Sequence, residues 1–133
     1  MRQNNLYPFA TAEGEYVPTD ILRPVGIISK SITSSGSSSA IAIPDGADAL
    51  LFQSSAAALV QFGMNNTVTA TALVDGTLKA DAVYIPANMI CLISPPAGHT
   101  HFAVRAISAP GTLITQILES WNALSTASKY VRR

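Results

Sequence analysis

Short apolar runs separated by turn residues fill the chain from Gly26 onward. Pro44, Asp45 and Gly46 form a strong turn signal, and comparable signals recur about every ten residues. The runs between them are GIISKSIT, AIAI, ADALLFQ, ALVQFG, NNTVTATALV, AVYIP, NMICLIS, HFAVRAIS and TLITQIL. Their length and spacing predict an all-β fold, a single β-sandwich or jelly-roll domain of about eight strands.

Both ends of the chain depart from this pattern. Residues 1–24 contain three prolines and no apolar period of 2 or 3.6, which indicates an extended N-terminal arm. Near the other end, helical spacing fits as well as a strand for Ile114, Ile117, Leu118, Trp121 and Leu124. The APG turn before them favours a strand through about Leu118, followed by a short helix or a loose tail. We therefore expect an arm at 1–24, a sandwich domain at 25–118 and a tail at 119–133.

The arm carries more large apolar side chains than a solvated linker does. Such side chains need a surface to lie on, and this surface is either their own domain or a neighbouring subunit that the arm reaches by strand addition or exchange. We predict that the contacts to a partner protein are made by Leu6, Tyr7, Phe9, Tyr16, Val17, Ile21, Leu22, Trp121 and Tyr130.

Charge is sparse and balanced along the chain. Eight basic residues match eight acidic ones, and charged residues make up 12% of the total, about half the usual share. A protein without a net field does not attract nucleic acid or an acidic membrane, so we expect neither as a partner. An uncharged surface suits contact with other proteins and predicts a homo-oligomer. The sequence has no apolar run of about 18 residues, as a membrane-spanning helix would need, and no apolar core of a signal peptide. We therefore expect the protein to be assembled in a cytoplasm.

The candidate chemistry is confined to one cysteine and two histidines. Cys91 lies in the apolar run NMICLIS and is interpreted as a small buried hydrophobe. His99 and His101 lie in SPPAGHTHFAV and would share one face of a strand, where two imidazoles could hold a metal ion. The phrase PAGHTH is similar to the second motif of cupins, a jelly-roll family in which that histidine is a metal ligand.

A metal centre of the cupin kind needs more ligands than these. Three protein ligands are the usual minimum, and the chain has no third histidine. The acids that the fold could add are Asp75, Asp81 and Glu119, but nothing in the sequence positions them. Nucleophile elbows, phosphate loops and CxxC motifs are absent. The sequence therefore predicts no catalytic residue, no metal site and no cofactor.

A second resemblance covers about residues 38–118. The order of an apolar strand ending in VQFG, an IPA turn, a PPAGHTH turn and a GTL strand resembles small structural proteins of tailed bacteriophage virions. The residues that carry it are Val60, Phe62, Gly63, Ile85, Pro86, Ala87, Pro95, Pro96, Gly98, Thr100, His101, Gly111, Thr112 and Leu113.

The virion resemblance implies a non-enzymatic capsid decoration or cement protein. Its partners would be the major capsid protein or other virion proteins, and its location would be the virion, assembled in the host cytoplasm. A neck or tail component of the virion is the first alternative. A small cupin-like metal-binding enzyme is the alternative from another class. A carbohydrate-binding sandwich is less favoured, because aromatic residues make up only 7% of the chain.

Overall fold

The computed structural model describes residues 9–10, 16–17 and 21–121 of the chain, and side chains from 21 to 120. All regular structure in these ranges is β-strand, so the predicted all-β class is confirmed for them. The strands are β1 (Phe9–Ala10), β2 (Tyr16–Val17), β3 (Ile21–Ile32), β4 (Ile41–Ala42), β5 (Ala49–Ser54), β6 (Ala58–Gly63), β7 (Ala82–Ile85), β8 (Ile90–Ile93), β9 (His101–Ala106) and β10 (Gly111–Trp121).

Eight of these strands form two antiparallel sheets of four. Sheet I has the order β3-β10-β5-β8 and sheet II the order β4-β9-β6-β7, while β1 and β2 pair with each other. The pairing is nested along the chain, since β3 pairs with β10, β4 with β9, β5 with β8 and β6 with β7. The chain changes sheet at each connection from β3 to β10 except the one between β6 and β7.

The core lies between the two sheets and is built from alternate residues of their strands, because side chains of a strand point to opposite faces in turn. Phe52 of sheet I meets Phe102 of sheet II edge to face, with ring centroids 5.7 Å apart and an interplanar angle of 80°. Phe62 packs on the same Phe102 ring at 6.2 Å. Cys91 is partly buried against this cluster and is a free thiol, in agreement with its interpretation as a small hydrophobe.

One predicted strand is wrong. The period-2 segment 65–74 forms no strand, although its alternation resembles one. Its backbone bonds to side chains in place of a neighbouring strand: Ala70 N–H donates to Ser37 Oγ at 2.8 Å, and Ala70 C=O accepts from Arg105 Nη1 at 3.1 Å. The segment is a loop that lies against sheet II through Val68 and Ala70, and its other residues are exposed.

The long strands β3 and β10 extend past residues 24 and 118, where we expected the sandwich to end. Leu22 is paired with Ser120, and Ile21 with Trp121, beyond a bulge between Ile117 and Leu118. Residues 122–133, for which a short helix or loose tail is expected, lie outside the described residues.

Phe102→Ala is expected to lower the free energy of unfolding by about 3–5 kcal/mol, because it empties the centre of the core and removes both ring contacts. Urea unfolding followed by circular dichroism measures the change. The control Leu78→Ala alters a side chain that is 91% exposed and should stay within about 0.5 kcal/mol of the parent. Similar losses in the two variants would contradict this description of the core.

Candidate functional site

Two turns meet at one end of the sandwich. The β4–β5 connection (43–48) and the β8–β9 connection (94–100) are joined by Ile43 N–H donating to Thr100 C=O at 2.8 Å and by Ser94 Oγ–H donating to Asp48 C=O at 3.1 Å. Gly46 and Gly98 have φ of 85° and 80°, which side chains other than glycine rarely adopt. The two turns border an open cleft of about 310 Å³.

His99 lies in this cleft but is already engaged through both ring nitrogens. Nε2 is 3.2 Å from Asp81 Oδ2 and Nδ1 is 3.2 Å from Ala97 C=O. Both partners are hydrogen-bond acceptors and a neutral imidazole donates from one nitrogen, so the tautomer decides which contact is the hydrogen bond; the other nitrogen faces an acceptor and not open space, which a metal ligand needs. Asp81 is the acid that the fold brings to His99, and it is held at a positive φ of 58°.

His101 begins β9 and has a separate environment. Thr100 Oγ1–H donates to Met64 C=O at 2.9 Å, so the same oxygen accepts the hydrogen bond from His101 Nδ1–H at 2.8 Å. His99 precedes the strand, and the expectation that both imidazoles share a strand face is therefore wrong. Glu119, another acid considered above, has its nearest oxygen 3.9 Å from Arg23 Nη1. Among the described residues, no group of three His, Cys, Asp or Glu side chains could hold a metal ion.

The predicted arm and tail contacts fall partly within the described residues. Ile21 and Leu22 begin β3 and lie opposite Trp121 and Ser120 at the end of β10, so the structure brings these parts of the two chain ends together. Strands β1 and β2 pair Phe9 with Val17 and Ala10 with Tyr16. The remaining predicted contacts, Leu6, Tyr7 and Tyr130, lie outside the described residues.

Two cross-strand rows on the outer face of sheet I span all four strands, and none of their eight residues is charged. The rows are Ile27, Gln116, Leu51 and Leu92, and then Ser29, Ile114, Gln53 and Ile90. Ile27 and Ile90 are 64% and 63% exposed, and Leu92 and Ile114 are also exposed. We refer to these eight residues as the apolar outer face. Five of the eight residues are apolar and four of these are exposed, which makes the face a candidate interaction surface.

Sheet II has its outer face covered by the connection between β6 and β7. Leu59 and Ala103 point outward from the sheet, and they are nonetheless 3% and 0% exposed. Gln61 Nε2 donates to Ala80 C=O at 2.9 Å, which ties the connection to β6. Among the residues that the structure describes, the chain therefore covers the outer face of sheet II and not that of sheet I.

Sequence reasoning missed the apolar outer face. Its signal is present in NMICLIS and TLITQIL, whose apolar residues occupy both faces of the strand. Runs of this kind are typical of strands buried on both sides. Only the sheet order shows that nothing among the described residues covers the second side.

Comparisons of the chain with protein-family models, with curated proteins and with solved structures find no match. Within the described ranges there is also no helix long and apolar enough to cross a membrane.

The engaged ring nitrogens of His99 predict that protein purified without a histidine tag contains metal well below one ion per chain. Elemental analysis by plasma mass spectrometry measures the content, and zinc added in excess and then dialysed against buffer tests retention. One tightly held ion per chain that is lost in His99→Ala would contradict the description and favour a cupin-like centre.

Proposed function

We propose that the chain is a non-enzymatic structural protein of a tailed-bacteriophage virion. More specifically, we propose a capsid decoration or cement protein that stabilises the shell by binding the major capsid protein. The observation that carries the proposal is the apolar outer face, which is exposed and uncharged while the opposite face is covered by the chain itself. A neck or tail structural component uses the same kind of surface and is the runner-up.

The size of the apolar outer face fits a contact that is repeated many times. At the usual strand spacing and rise, two rows across four strands cover roughly 13 Å by 19 Å. This is about a third of the roughly 800 Å² per partner that a stable interface buries. One such contact is weak, but a capsid offers many equivalent sites, and linked copies hold by avidity.

Absence of charge on this face lowers the free-energy cost of covering it. A buried charge needs a partner and loses its hydration, whereas Ile27, Ile90 and Leu92 gain free energy when they leave water. The matching surface on the shell would then be uncharged and flat, since the face belongs to a regular sheet. This chemistry agrees with partners that are virion proteins, and neither nucleic acid nor a membrane.

We also propose that the sandwich is a jelly roll, a fold known from viral capsid proteins, lectins and cupins. The support is the nested pairing of first strand with last, from β3 with β10 inward to β6 with β7. Fold alone does not assign function, so this pairing is compatible with the virion proposal and with the cupin alternative alike.

The N-terminal arm and the C-terminal tail are proposed as a second attachment element. Their apolar residues continue from the paired ends of β3 and β10, where Ile21 lies opposite Trp121. Both segments therefore start beside sheet I, the sheet with the open face. Contacts from them to a neighbouring copy would make the protein a homo-oligomer in the virion.

Replacing two apolar side chains of the apolar outer face should weaken attachment to the shell without unfolding the protein. In the variant Ile27→Gln/Leu92→Gln, the open face becomes polar, and we expect at least a tenfold loss of binding to shells assembled without this protein. Co-sedimentation with the shells measures binding, and thermal unfolding confirms that the variant is folded. The matched control Leu78→Gln/Tyr84→Gln changes exposed apolar residues outside sheet I and should bind like the parent. Undiminished binding by the first variant would move the contact away from this face.

Deletion of residues 1–20 tests the arm while leaving all of β3 in place. We expect the full chain to be an oligomer and the shortened chain to be a folded monomer, because the arm supplies the contacts between copies. Light scattering behind a sizing column gives both masses, and far-ultraviolet circular dichroism checks the fold. An oligomer of unchanged size after deletion would argue against the arm as the assembly element.

A further inference from the structure

Arg105 is a cation with no acidic partner in the described part of the chain. Its Nη1 donates to Ala70 C=O at 3.1 Å, and its Nη2 donates to Ser34 C=O. The ion pairs of the described residues involve Arg23 with Glu119 and His99 with Asp81. A guanidinium has five N–H donors in a planar fork, so most of its donors remain available.

The two carbonyl contacts hold the guanidinium in place without neutralising it. Ser34 belongs to the β3–β4 connection and Ala70 to the β6–β7 connection, so two separate segments of the chain hold the Arg105 side chain. Arg105 is also only partly exposed. A positioned, partly desolvated guanidinium binds a carboxylate more strongly than a mobile surface arginine does, because less conformational entropy is lost.

An apolar pocket lies directly beside this guanidinium. Its volume is about 200 Å³, and Arg105 shares its lining with Leu59, Leu73, Ile107, Ala72 and Ser34. Leu59 lies opposite Arg105 in the β6–β9 pairing, and Leu73 joins the lining from the connection between β6 and β7. A cavity of roughly 150 Å³ lined by similar side chains accommodates benzene, so a group of four to six carbons fits here.

We infer that this pocket binds a carboxylate that carries a short branched apolar group, with Arg105 holding the carboxylate and the leucine and isoleucine side chains holding the apolar group. A single cation matches the single charge of a carboxylate, and the apolar walls exclude a fully hydrated phosphate. Two sources share this chemistry: a free short-chain carboxylic acid, and the C-terminal carboxylate of an apolar residue of another protein. The site lies on sheet II and is independent of the attachment face of sheet I.

Methyl and arginine NMR of the full-length, isotope-labelled chain tests the pocket directly. The probes are 4-methylvalerate for the free acid and N-acetyl-leucine for a chain terminus, and the controls are 4-methylpentan-1-ol and acetate. We expect saturable shifts of the Leu59, Leu73 and Ile107 methyl groups and of the Arg105 Nε–H with at least one probe. The alcohol and acetate should bind at least tenfold more weakly, since each lacks half of the recognised group. The probe that binds more tightly identifies the source.

Substitution of Arg105 completes the test. Arg105→Lys keeps a positive charge but loses the paired donors of the guanidinium, and we expect at least fivefold weaker binding of the probe. Arg105→Gln should bind no probe. The control Arg23→Gln lies on the other sheet and should bind like the parent. No saturable shift in the parent at 50 mM probe, or equal binding of acid and alcohol, would overturn the inference. Because that comparison uses the unaltered protein, it decides the question even if a variant at residue 105 fails to fold.

Discussion

The edge-to-face contact between Phe52 and Phe102 is the constraint on which the sandwich depends. It is a contact between the two sheets at the centre of the core, and Phe62 packs against the same ring. Large rings that meet in this way fix the separation of the sheets and determine which residues of each strand point inward. Once the inward set is fixed, the period of two assigns every outward residue as well, including those that form the apolar outer face.

The outer face of sheet II is covered and that of sheet I is exposed because of a single feature of the connectivity. Every connection from β3 to β10 changes sheet except the one between β6 and β7, which returns to sheet II after residues 64–81. Because this connection starts and ends on the same sheet, it lies across the outer face of sheet II and buries Leu59 and Ala103. It also contributes Ala72 and Leu73 to the lining of the pocket beside Arg105. Sheet I receives no such cover among the described residues, so its face remains in contact with solvent.

Much of the fold could be predicted from the sequence, since turn residues and apolar runs are local signals. The class, the number of sheet strands and the turn at Pro44 to Gly46 follow from them. Segment 65–74 was predicted wrongly because the bonds of its backbone at Ala70 go to the side chains of Ser37 and Arg105, which are distant in sequence, and not to a neighbouring strand. The apolar outer face was not predictable, because it depends on which strands become neighbours. The position of Arg105 under a distant loop depends on the same long-range pairing.

Polar groups within the apolar outer face determine what hydrogen-bonding groups the proposed partner would have to supply. Gln116 is satisfied internally, since its Nε2 donates to Gly26 C=O at 2.8 Å. Gln53, at the centre of the second row, makes no side-chain hydrogen bond among the described residues, so in the free protein its amide is hydrated. Covering the face without replacing that hydration would cost about 1–3 kcal/mol, comparable with the gain from one buried isoleucine. A partner bound there would therefore have to place a donor or an acceptor opposite Gln53, and this requirement would give an otherwise uniform apolar contact a defined orientation.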